Sequence, residues 1–164
     1  MDPASAEVRT ARVDDLSFIR LMLDEAANRP GDTWPPIEEF VNEARTRRFW
    51  DGFPSRGDLG RIAEIQSLPV GAAWIRHFSG PDLSPIDDPA VPVLAIGIDR
   101  GHRGRGVGSL LMDALLADAR EAGITEIALT TGLFNEPALR LYRRCGFVEV
   151  LRRDDSVKMT VTLR

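Results

Sequence analysis

The chain has 164 residues, 43% hydrophobic and 28% charged, a profile that fits one soluble globular domain spanning residues 1–164. Its formal net charge of −4 argues against general nucleic-acid binding, and no apolar run approaches the roughly 20 residues needed to cross a membrane. The first residues lack the basic and apolar regions of a secretory leader, and a lone cysteine, Cys145, has no internal disulfide partner, so a cytoplasmic protein is expected.

The spacing predicts a short first strand from Glu7 to Val13. A helix follows, with Asp14 as N-cap, Leu16, Ile19, Leu23 and Ala26/Ala27 on one face, and Asn28-Arg29-Pro30-Gly31 as its stop. A second helix is predicted over residues 37–49, flanked by the aromatic loops Trp34-Pro35-Pro36 and Phe49-Trp50-Asp51-Gly52-Phe53-Pro54. Residues 60–65 and 70–78 read as an antiparallel hairpin joined by Gln66-Ser67-Leu68-Pro69. A proline-rich connection, residues 79–92, leads to a central strand over residues 93–98. An amphipathic helix from Val107 to Ala122 presents Val107, Leu110, Leu111, Ala114, Leu115 and Ala122 on one face and ends at Gly123. A strand over residues 124–131 precedes a short helix capped by Asn135, with Ala138, Leu141, Tyr142 and Cys145 inward. Residues 147–151 and 157–163 form the last two strands. This order defines a mixed α/β fold: a mostly antiparallel twisted sheet of about seven strands with about four helices, and one parallel strand pair around the amphipathic helix.

The most informative stretch is Arg103-Gly104-Arg105-Gly106-Val107-Gly108-Ser109, which lies between the central strand and the amphipathic helix. A strand, a glycine turn and a helix start make an anion pocket. Glycines let the backbone approach, and the first-turn N–H groups aim about half a positive charge of dipole at the anion. Arg103 and Arg105 can add charge-assisted bonds. The stretch matches neither the dinucleotide fingerprint, since Ser109 replaces its last glycine, nor the ATP P-loop, since no lysine follows. An unstructured arginine- and glycine-rich RNA tract is disfavoured because this stretch opens a helix.

Two separated motifs make the chain resemble the GCN5-related N-acetyltransferase (GNAT) family. Its [Arg/Gln]-x-x-Gly-x-[Gly/Ala] pyrophosphate motif is met by Arg103, Gly106 and Gly108. Its Asn-x-x-Ala-x-x-x-Tyr-x-x-x-Gly-Phe segment is met by Asn135, Ala138, Tyr142, Gly146 and Phe147, with a strand between the two motifs as in the family. The resemblance implies acetyl-CoA as the acyl donor. Backbone N–H groups of Arg103 to Ser109, with Gly104, Arg105, Gly106 and Gly108 among them, would hold the pyrophosphate. Main-chain groups of Ile96 and Ile98 would pair with the pantetheine arm in a gap opened by a strand bulge, and Asn135 would touch the cofactor. The resemblance further implies Tyr142 as the acid that protonates the leaving thiolate and the Ile98 N–H as oxyanion donor.

A base is harder to place, because residues 91–98 contain no acid where many relatives carry a glutamate. Glu64, His77, Asp87 and Asp88 are the candidates through water, and an acceptor that loses its proton to solvent needs none. Cys145 at a helix C-terminus is a buried hydrophobe rather than an acyl relay. For the acceptor site, Trp34, Phe40, Trp50 and Phe53 are expected on one wall and Phe78 on the other, with Glu38, Glu39, Asp82, Asp87 and Asp88 suited to a cationic amine. The expected partner is a small-molecule amine or peptide, with no nucleic acid, membrane or metal. The resemblance is compatible with a homodimer. A catalytically idle acyl-CoA-binding or sensor module is the alternative.

Overall fold

The computed structural model describes residues 5–29 and 35–164. Seven strands form one sheet: β1 (Ala6–Thr10), β2 (Leu59–Ile65), β3 (Leu68–Arg76), β4 (Val93–Ile98), β5 (Glu126–Gly132), β6 (Val148–Arg152) and β7 (Ser156–Thr162). Their spatial order is β1-β2-β3-β4-β5-β7-β6, antiparallel throughout except for β4 beside β5. The helices are α1 (Leu16–Ala27), α2 (Ile37–Asn42), α3 (Ala44–Arg47), α4 (Val107–Glu121) and α5 (Glu136–Arg144). Among the described residues five helices replace the expected four, because the predicted helix over residues 37–49 breaks at Glu43, whose ψ of 143° is extended.

Side-chain alternation along the strands supplies two cores. Ile62, Ala72, Trp74 and Ala95 face α1, where Ile19, Met22 and Leu23 cover them. Ala63, Ala73, Ile75, Leu94 and Ile96 belong to the larger core, with α4 and α5. The buried face of α4 is Val107, Leu111, Met112, Leu115, Leu116 and Ala119; Leu110 and Ala122, expected inward, are exposed. Helical spacing from Val107 runs through 111, 115 and 119, which carries Met112 and Leu116 inward and turns Leu110 out.

Local differences from the sequence expectation have identifiable causes. The first strand stops at Thr10, and a 3-10 turn at Val13–Asp15 precedes α1. Asp15, not Asp14, occupies the N-cap, but Arg9 grips its carboxylate at 2.7 and 2.8 Å and the Arg12 N–H donates to it at 2.7 Å, so it makes no cap bond. Asn28 ends α1 in the left-handed region, as expected; Pro30, Gly31 and Trp34 lie outside the described residues. The hairpin turn is tighter than predicted: Gln66 and Ser67 both have positive φ, a two-residue turn matched to strand twist. Pro69 therefore lies within β3, opposite Glu64 at a bulge. Among the described residues no helix is long and apolar enough to cross a membrane.

Candidate active site

The sheet opens where its parallel pair parts. β4 and β5 are joined by one step, Val93 opposite Ala128, with the Ala128 N–H donating to the Pro92 carbonyl at 3.0 Å. On its other edge β4 stays paired to β3 from Val93 to Ile98, and the Asp99 N–H donates to the Val70 carbonyl at 2.8 Å. Antiparallel partners alternate between bonded and non-bonded pairs. Odd-numbered residues of β4 therefore bond β3, and Leu94, Ile96 and Ile98 turn their N–H and C=O groups toward the opening. The bulge expected at this point is absent from β4, whose register with β3 is continuous. The gap arises because the parallel partner leaves.

A cavity of about 520 Å³ occupies the opening. Its lining includes Ile96 and Ile98 from β4, Gly104, Gly106, Gly108 and Ser109 at the start of α4, and Asn135 and Tyr142 from the start and last turn of α5. Gly104 and Gly106 have φ of +72° and +83°, which directs the chain into α4 with Gly106 as its N-cap. The first intrahelical bond runs from the Leu110 N–H to the Gly106 carbonyl at 3.2 Å, so the N–H groups of Val107, Gly108 and Ser109 have no helical acceptor. They stand where the glycine turn leads one to expect an anion site. Arg105 is exposed and does not line the cavity.

Arg103 is differently placed from the sequence expectation. Its guanidinium donates to the Glu25 carboxylate at 2.7 Å, the Glu25 carbonyl at 3.0 Å, the Asn28 side chain at 2.6 Å and the Ile98 carbonyl at 3.1 Å. It ties the end of β4 to the end of α1 rather than standing free for a phosphate, and it occupies the Ile98 carbonyl. Arg103→Ala should therefore destabilise the protein even without ligand, by about 1–2 kcal/mol given its partial exposure. A urea titration of the ligand-free variant checks this, and an unchanged midpoint would release Arg103 from the structural role.

Tyr142 is buried, its ring 5.9 Å from that of Phe147, and its hydroxyl makes no hydrogen bond to a described residue. Burial pushes its pKa well above the ordinary 10.0, so the phenol keeps its proton throughout the neutral range. Asn135 is also buried and stands at the N-cap of α5, but its amide makes no cap bond. Both polar groups belong to the cavity wall. His102, not singled out in the sequence, lines the cavity too, with Nδ1 2.8 Å from the Asp99 carboxylate.

The candidate bases do not gather here. Glu64 accepts from Arg9 at 2.7 Å, and Asp87 accepts from Arg48 at 2.6 Å and from the Ser84 N–H at 2.9 Å. These bonds outweigh the opposing effect of burial and hold the Asp87 carboxyl below its usual range. His77 is exposed on a separate cavity of about 280 Å³ with Asp82 and Phe78, and Asp88 is exposed. Glu25 is the one acid on the larger cavity among the described residues, and Arg103 holds it. Two residues of the predicted aromatic wall are core: Phe53 packs with Trp74, and Phe40 is buried beneath the Arg29 guanidinium. Trp50 packs on that core with Arg20 over its ring, Phe78 meets Phe49 edge-on at 5.1 Å, and Trp34 lies outside the described residues. Cys145 is half-buried and desolvation raises its thiol pKa, consistent with an inert side chain.

A seven-stranded mixed sheet parted between two central strands, with a helix N-terminus at the opening, is the acyl-CoA N-acyltransferase fold. The chain belongs to the Acetyltransferase (GNAT) family, whose model matches residues 21–147. Members are acetyltransferases, and acetyl-CoA is their cosubstrate. The mycothiol acetyltransferase of Cellulomonas flavigena is 32% identical over 108 residues, which cover 64% of this chain and 30% of that protein. The chain thus spans about a third of the length of the curated relatives it matches. Among solved structures, SsHAT superposes with a TM-score of 0.75 at 18% identity, covering 98% of this chain and 99% of that one. The putative acetyltransferase yncA from Salmonella typhimurium, solved with its cofactor acetyl-CoA, gives a TM-score of 0.69 at 17% identity over 98% and 95%.

Proposed function

We propose that this chain moves an acetyl group from acetyl-CoA to a primary amine of a small molecule or peptide, by direct attack within a ternary complex. The observation carrying this is the gathering of three features on one cavity: the α4 N-terminus, the open edge of β4 and the Tyr142 phenol. Acetyl-CoA supplies an acyl carbon that the amine nitrogen attacks, with the C–S electron pair leaving on sulfur. The N–H groups of Val107, Gly108 and Ser109 hold the pyrophosphate. Main-chain groups of Ile96 and Ile98 align the pantetheine arm as an added strand. The N–H of Ile98 or, one pleat further from the phosphates, of Ile96 donates to the acyl oxygen as charge builds on it. Asn135 offers its free amide to the arm, and Tyr142 donates its proton toward the departing sulfur. With Glu25, the one acid on the cavity among the described residues, held by Arg103, the amine sheds its proton to water.

A thermal melt with acetyl-CoA tests the cofactor half. At 100 times its dissociation constant the ligand adds about 2.7 kcal/mol. Ser109→Asp puts a carboxylate in the first turn of α4, which suits the helix dipole but repels a phosphate. The variant should melt at or above the wild-type temperature without ligand and lose the acetyl-CoA shift. A wild type with no shift would rule the cofactor out.

An acyl-CoA-binding module without turnover is the competing function, favoured by the absence of a free carboxylate on the cavity among the described residues. Release of free thiol across a panel of amines separates the two: turnover with any amine removes the idle module.

A further inference from the structure

Two cations on the cavity have no part in acetyl transfer. Arg140 and Arg144 line it from α5, one helical turn apart, both exposed and neither bonded to a carboxylate among the described residues. Between them Arg143, which does not line the cavity, is paired with Glu149 at 3.4 Å. In a chain with 25 acids against 21 lysines and arginines, a partner for each cation is available in principle. Like charges at i and i+4 on a helix repel, so an unpaired couple is a standing cost that an anion would relieve.

Leu141 fixes where this couple sits. It lines the same cavity, and a Cβ on Gly108 would fall 3.1 Å from its Cδ2, so α5 touches the first turn of α4 at that point. Arg140 and Arg144, on either side of Leu141 in sequence, therefore flank the anion-binding N-terminus of α4 on its α5 side. Arg103 is turned away from there, held toward α1 and β4 by four of its five N–H groups.

We propose that Arg140 and Arg144 form a second anion subsite, which reads the 3′-phosphate of coenzyme A and selects its thioesters over their 3′-dephospho counterparts. The proposal rests on the acetyl-CoA reading above and adds the substrate feature that the α4 N-terminus does not address. The pyrophosphate is matched by the α4 N–H groups. The 3′-phosphate is a monoester carrying nearly two negative charges and three acceptor oxygens, which two guanidinium forks match in charge and geometry.

Calorimetric titration of the full chain with acetyl-CoA and with 3′-dephospho-acetyl-CoA tests this. The wild type should prefer acetyl-CoA by roughly tenfold or more. The double variant Arg140→Gln/Arg144→Gln should lose most of that preference by weakening acetyl-CoA alone, and Arg143→Gln, on the same helix but off the cavity, should retain it. Equal affinity of the wild type for both thioesters would overturn the subsite and leave acetyl-CoA binding intact. So would a double variant that weakens both thioesters equally, or an Arg143→Gln that lowers the ratio as much as the double variant does. A wild type that binds neither thioester would instead remove the acetyl-CoA reading itself.

Discussion

Tyr142→Phe is expected to lower kcat by about 10²-fold or more while leaving acetyl-CoA affinity within about twofold. The substitution is clean because the lost hydroxyl breaks no hydrogen bond among the described residues and the ring keeps its contact with Phe147. The melting temperature should therefore hold, and the whole effect should fall on departure of the sulfur. A pH profile sharpens the test. Burial raises the phenol pKa above its ordinary 10.0, so Tyr142 stays protonated at pH values where an exposed tyrosine ionises. The proton donor is then present up to pH 10 and beyond. Because Glu25, the one carboxylate on the cavity among the described residues, is held by Arg103, the rate should climb with pH as the acceptor amine loses its proton, without a descending limb from Tyr142 below pH 10. Steady-state kinetics with equilibrium binding decides it: unchanged kcat in the variant takes Tyr142 out of the chemistry.

The framework of this site is legible in the sequence because it rests on local rules. A glycine turn between an apolar strand and an amphipathic helix specifies the α4 N-terminus, and the spacing from Asn135 to Phe147 specifies α5 and places Tyr142 inward. What escaped depends on contacts between distant residues. Arg103 meets Glu25 across 78 positions of chain, so nothing near Arg103 signals that most of its donors are already engaged. The aromatics of residues 40–53 are legible as apolar but not as core, because their burial depends on how α2 and α3 fold back on α1 and β3. Arg140 and Arg144 had a usable signal: they are an i, i+4 pair beside Ala138 and Leu141, and the one acid at that spacing on α5, Glu136 four residues before Arg140, makes no ion pair with it. Their meaning still required the cavity.

Gly97→Ala should bring the largest loss of stability, about 3 kcal/mol or more, since overpacking against backbone leaves no rotamer through which to escape. Gly97 lies on the β4 face that receives α1, and a Cβ there would sit 2.1 Å from the Met22 carbonyl oxygen and 2.9 Å from its carbon. Relief requires α1 to move as a unit, and α1 is anchored. Its end is bonded through Glu25 and Asn28 to Arg103, beside the glycine turn. The strain is therefore transmitted to the cavity, and acetyl-CoA affinity should fall with stability. Gly104→Ala supplies the contrast: its φ of +72° disfavours a side chain, but a Cβ there meets nothing within 4 Å. That conformational cost is about 1 kcal/mol. At roughly 2–4 °C per kcal/mol for a chain of this size, Gly97→Ala should melt about 6–12 °C lower than wild type, and Gly104→Ala only a few degrees lower. Differential scanning calorimetry of the two variants measures the order directly. If Gly97→Ala melts no lower than Gly104→Ala, α1 does not approach β4 this closely, and Arg103 loses the anchored helix end on which its structural role depends.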